Sequence, residues 1–86
     1  MNKKNNNNNI SQQIRTLIVR ETNCGKITNK TGFMSGQDIK YDECMAIMFA
    51  LQHRFHVRLP ESEYYKLKTV GNLIQNVIRQ QKYHKK

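Results

Sequence analysis

Tyr41, Asp42 and Glu43 open the segment whose residue types and spacing most invite a chemical reading. The N-terminal end of a helix carries free amides and the positive end of the helix dipole, so Asp42 and Glu43 suit that place. Tyr41 would then stand exposed beside them, and tyrosine is enriched in binding hot spots. Met45 and Phe49 flank the inward stripe of the same segment, and its far half offers Gln52, His53, Arg54 and His56. Tyr41, Asp42, Met45 and Phe49 are therefore the candidate partner-binding surface, with Arg54 setting its charge preference. His53 and His56, spaced i and i+3, place two imidazoles near one helix end, but a metal site wants further ligands and the neighbouring sequence offers none. No metal site is expected. Tyr64, Tyr65, Lys66 and Lys68 have the types that stack on bases and neutralise phosphates. The competing and preferred reading packs one of the two tyrosines against the second helix. Nothing resembles a nucleophile with its base, a phosphate-cradling glycine loop or a paired-carboxylate site, so no catalytic residue is predicted and the chain is not expected to be an enzyme.

These residues need elements to hold them, and the apolar periodicity supplies four. Ile10, Ile14, Leu17 and Ile18 recur on one face of a first helix that Asn9 or Ser11 can cap and that Cys24-Gly25 stops. A long connection follows, Lys26 to Lys40, with Ile27 and Phe33 as its apolar anchors; a connection of that length in a small domain packs on the helices or carries function. The second helix runs from about Asp42 to His53 or Phe55, with Cys44, Ile47, Met48, Leu51 and Phe55 inward. Pro60 favours extended backbone before it, Glu61 to Lys66 can form one short turn, and Thr69 caps a last helix whose face is Val70, Leu73, Ile74, Val77 and Ile78. Gly71 is a mild weakness in that helix. The fold class predicted is all-α, a small four-helix bundle with a long loop between helices one and two.

With 86 residues, the chain has room for one domain of modest stability and no deep cleft. No apolar run approaches the ~20 residues that span a bilayer, and the N-terminus lacks the apolar core of a secretory signal, so the expected compartment is the cytoplasm. Cys24 and Cys44 fit no C-x-x-C pattern and are expected to be free thiols, Cys44 as a small buried hydrophobe. The net charge is +9, but six of those charges belong to Lys3, Lys4, Arg79, Lys82, Lys85 and Lys86, which leaves +3 for residues 5–78. That distribution weakens a nucleic-acid reading. The Asn-rich residues 1–9 are expected to be disordered, residues 10–79 to form the domain, and residues 80–86 to be a basic tail.

The stretch Ile27-Thr28-Asn29, then Phe33, then the helix Met45 to Leu51, then Phe55-His56-Val57-Arg58-Leu59-Pro60-Glu61, then Leu67-Lys68-Thr69-Val70-Gly71, resembles the acyl carrier proteins in one ungapped register from Ile27 to Ile78. Each piece is weak alone. The Phe, Pro-Glu and Thr-Val spacing gives the whole its specificity, since other four-helix bundles share only the periodicity. In that family a serine in Asp-Ser-Leu at the start of the second helix takes phosphopantetheine from coenzyme A, where free amides and the dipole stabilise the phosphate. This chain reads Lys40-Tyr41-Asp42 at those positions. The resemblance therefore implies a carrier-type module whose attachment position is Tyr41, and a transferase shaped for serine should not accept a phenol on a rigid ring.

A second departure is charge: the family's second helix presents carboxylates along its length, whereas here the far half is cationic, and a changed sign implies different partners. The expected function is a non-catalytic protein-interaction or accessory module without phosphopantetheine or another cofactor. Its partner would be a protein, of the acyl-transfer or synthase type with an altered charge preference, met by a monomer. One alternative is a working acyl or peptidyl carrier that uses a displaced attachment residue such as Ser35. Another is a small basic nucleic-acid binder.

Overall fold

In the computed structural model, which describes residues 6–22, 25–34 and 38–84, the chain forms three α-helices and one 3₁₀ segment. They are α1 (Asn6–Thr22), α2 (Tyr41–Phe55), the 3₁₀ segment Glu61–Lys66, and α3 (Val70–His84). Among the described residues there is no strand, only an isolated antiparallel bridge between Gly32 and Thr69. The all-α expectation holds.

Each helix contributes the apolar face that its spacing implied. Ile14, Leu17 and Ile18 of α1, Cys44, Ile47, Met48 and Leu51 of α2, and Val70, Leu73, Ile74 and Val77 of α3 meet in one buried cluster, with Ile10, Phe55 and Ile78 half-buried at its edge. The first helix packs against both others. Non-helical chain completes the core: Phe33 and Ile39 from the connection between α1 and α2, Val57 and Leu59 after α2, and Leu67 before α3 are all buried.

The helix ends follow local chemistry, with two differences from the sequence reading. The first helix begins at Asn6 rather than at Asn9 or Ser11, and α3 runs on to His84 through residues expected to start a tail. Periodicity cannot place such ends, because extending a nucleated helix costs little and shows no apolar pattern. Residues 1–5 and 85–86, like Cys24 and Ser35, lie outside the described residues. In α2 the Glu43 carboxylate accepts the Lys40 N–H at 3.4 Å, and the Cys44 N–H donates to the Lys40 carbonyl at 2.9 Å. That helix closes on His56 in the left-handed region, φ 54 and ψ 46, a conformation that costs a side-chain-bearing residue about 1 kcal/mol. Beyond it, the half-buried Gln52 fixes the extended piece: its Oε1 accepts the Leu59 N–H at 2.9 Å, while its Nε2 donates to the Met48 carbonyl at 3.2 Å.

The start of α3 is anchored both by its own cap and by the connection. Thr69 caps it as expected, its Oγ1 accepting the Asn72 N–H at 3.2 Å while Asn72 Oδ1 accepts the Thr69 N–H. The two preceding amides find partners in the connection: Val70 N–H donates to the Thr31 carbonyl and Gly71 N–H to the Asn29 carbonyl, both at 2.9 Å. In return Phe33 and Met34 donate to the Lys68 and Leu67 carbonyls. The long connection thus lies antiparallel to the start of α3 and satisfies its free amides.

This pairing gives Gly71 a second meaning. A Cβ there would meet the Asn29 carbonyl oxygen at 3.1 Å and Asn29 Cβ at 3.3 Å, and that carbonyl is held by the Gly71 amide itself. What reads as a propensity weakness in the helix is a close approach between two backbones. Gly71→Val should therefore destabilise the protein by about 1–3 kcal/mol through overpacking. Urea unfolding measures it, and a variant as stable as the parent would show that the connection yields freely.

Candidate functional site: the outer flank of α2

Three large apolar or aromatic side chains remain exposed among the described residues: Tyr41 at 57 %, Phe49 at 67 % and Tyr65 at 69 %. Two of them lie on α2 with half-buried Met45 between. Residues four apart on an α-helix sit about 40° apart around its axis, so Tyr41, Met45 and Phe49 form one stripe sweeping about 80° along the edge of the buried face. Asp42, seven residues before Phe49, falls about 20° from it and is exposed on the same flank. Four of the five predicted contact residues are thus brought together.

Arg54 is not. Five residues beyond Phe49, it is turned about 140° away, on another side of the last turn. The charges nearer the stripe are the Asp42 carboxylate on the same flank and the exposed Lys40 just before Tyr41. Burial first, then the Glu61 carboxylate and the Tyr41 phenol, push the Tyr64 hydroxyl above its ordinary pKa, which places these three side chains in one neighbourhood. Tyr64 is half-buried against the common core and Tyr65 is exposed, so one tyrosine of the pair packs inward. Lys66 lies 5.7 Å above the Tyr65 ring and 3.8 Å from Glu63, an exposed pair of little energetic weight.

Charge is divided along the chain. Residues 38–66 hold Asp38, Asp42, Glu43, Glu61 and Glu63 against Lys40, Arg54, Arg58 and Lys66; outside them, eleven Lys and Arg face Glu21 alone. The exposed stripe belongs to the acidic part. Cys44, three residues after Tyr41, points away into the core, where its Sγ donates to the Phe33 carbonyl at 2.6 Å. Burial, then the Glu43 carboxylate, pushes this thiol from an ordinary 9.0 up to about 11. It is not a nucleophile of the flank. Among the described residues no group of three or more His, Cys, Asp or Glu could hold a metal, and no helix is long and apolar enough to cross a membrane.

No protein-family model, curated protein or solved structure matches this chain. The residues of the flank therefore carry the functional reading by their own geometry. Sequence reasoning missed the roles of Gln52, which holds Leu59 seven residues on, of Ile39, which is buried in the common core, and of Asn29, which pairs with Gly71. A faint signal existed for Ile39, an apolar residue just before the second helix; Gln52 and Asn29 showed none, since glutamine and asparagine are common on exposed surfaces.

Proposed function

We propose that this chain is a carrier-protein-type helical module that binds a protein partner through the Tyr41, Asp42, Met45 and Phe49 flank of α2 and takes no phosphopantetheine. The observation that supports it most is the pair of exposed rings on one side of α2, two of the three large exposed apolar or aromatic side chains among the described residues. Exposed aromatics at helical spacing are what a partner's apolar groove accepts, and aromatic anchors supply most of the energy of such contacts. Asp42 stands beside Tyr41, and residues 38–66 hold five carboxylates against four cations, so the preferred partner surface is apolar at its centre and carries a cation to meet Asp42.

Tyr41 is the first residue of α2 and is more than half exposed, and its phenol does not fit chemistry built around a serine hydroxyl. Intact-protein mass after incubation with coenzyme A and a promiscuous phosphopantetheinyl transferase should be unchanged. A phosphopantetheine adduct would instead make this a working carrier, the first alternative. On the binding side, Tyr41→Ala should weaken capture of the partner at least about tenfold, the size expected of a hot-spot tyrosine, with far-UV circular dichroism unaltered. An equally stable variant with undiminished capture rules the flank out. The basic remainder of the chain favours one second reading, the nucleic-acid binder, whose mark would be a steep fall of oligonucleotide affinity with salt.

A further inference from the structure

Arg15 of α1 and the segment from Ile27 to Lys30 line an open concavity of about 520 Å³. That size lies within the range of small-molecule sites, roughly 300–1,000 Å³. Its wall is mainly apolar, with Ile27 half-buried against the core, and none of its lining residues is acidic.

The wall is fixed before any ligand arrives. Thr31 N–H donates to the Thr28 carbonyl, Thr28 N–H to Thr31 Oγ1 and Lys30 N–H to Thr28 Oγ1, closing a tight turn. Gly71 N–H ties the Asn29 carbonyl to α3, and Arg15 Nη1 donates to Asn29 Oδ1 at 2.9 Å, tying the turn to α1. Preorganisation of this kind lowers the cost of binding.

The same hydrogen bonds occupy one lone pair on each of two side-chain oxygens and leave donors. Asn29 Oδ1 is engaged, so its amide nitrogen remains to donate; Thr28 Oγ1 already accepts, so its hydroxyl proton remains. Arg15 has further N–H groups and Lys30 its ammonium. Each polar side chain among the described lining residues can thus donate, and two of them, Arg15 and Lys30, are cations. Such a field concentrates anions.

We propose that this concavity binds a small organic anion with an apolar body, its acid group paired with Arg15 and Lys30 and its body lying against Ile27. The assignment stands apart from the α2 flank and from whatever binds there. The probe for it is 8-anilinonaphthalene-1-sulfonate, an aromatic sulfonate whose fluorescence rises on leaving water. The folded protein should bind it at one saturable site, with amide chemical-shift changes centred on Ile27 to Lys30. Arg15→Gln and Lys30→Gln should each weaken it about threefold and together about tenfold, as loss of partly exposed ion pairs implies, while Arg20→Gln, on α1 but outside the concavity, should change it less than about twofold. Non-saturable binding, shifts centred elsewhere, or equal weakening by all three substitutions would overturn the proposal. The shift map on the unsubstituted protein decides the matter even if a variant loses its fold.

Discussion

Phe33→Ala should cost this protein about 3–5 kcal/mol, the range for emptying a fully buried phenylalanine site. Phe33 belongs to the connection between α1 and α2, yet its side chain is wholly buried in the common core. Its backbone is engaged on both sides: the N–H donates to the Lys68 carbonyl at 2.8 Å and the carbonyl accepts the Cys44 thiol. The residue therefore joins the connection to the start of α3 and to α2 at once. A domain of this size has on the order of 4–12 kcal/mol in all, so the loss is a large share of it. At about 4–8 °C per kcal/mol, the midpoint of thermal unfolding should fall by at least about 12 °C. Phe33→Leu, which keeps much of the volume and the same backbone bonds, should lose clearly less. If Phe33→Ala melts within a few degrees of the parent, the connection is not part of the core.

The second large effect is alkaline. Cys44 is fully buried, and burial with the nearby Glu43 carboxylate raises its folded-state pKa from 9.0 to about 11. Because the folded value lies above the unfolded one, the unfolded chain releases the thiol proton first as pH rises. The associated stability is complete below pH 9 and disappears between pH 9 and about 11; two pKa units correspond to about 2–3 kcal/mol. Urea unfolding of the parent and of Cys44→Ala should diverge over that window, the variant losing less. Parallel loss in both proteins would mean that Cys44 titrates normally. The same shift makes the thiolate about a hundredfold rarer at pH 8 than for an ordinary thiol. In a Cys24→Ser background, which leaves Cys44 as the single thiol, the folded protein should react with a disulfide reagent only as fast as it opens. Prompt reaction in folded protein would contradict the burial.

Both effects arise where helix and connection meet, at two residues whose burial the sequence had already indicated. Ile14, Leu17 and Ile18, then Ile47, Met48 and Leu51, then Val70, Leu73, Ile74 and Val77 all fall on the buried faces that their spacing implied, because 3.6-residue periodicity is a local property of the chain. Thr69 and Phe33 were legible for similar reasons, a cap by its type and position and an anchor as the largest apolar residue in a polar stretch. The candidate surface was partly legible. Tyr41, Met45 and Phe49 follow from helical spacing alone, whereas placing Arg54 on that surface ignored the angle that separates positions 49 and 54.

By itself, then, the sequence determined a small all-α domain, the inward face of each helix and the presence of a tyrosine where helix α2 begins. Only the tertiary structure decided that Gly71 is a site of backbone contact, that Gln52 holds the segment after α2, and that Asn29 joins Arg15 to α3. The physical reason is range. Amphipathic periodicity and capping involve residues a few positions apart, while these partners range from Gln52 and Leu59 to Asn29 and Gly71 and are chosen only when packing brings their side chains or backbones within hydrogen-bonding distance.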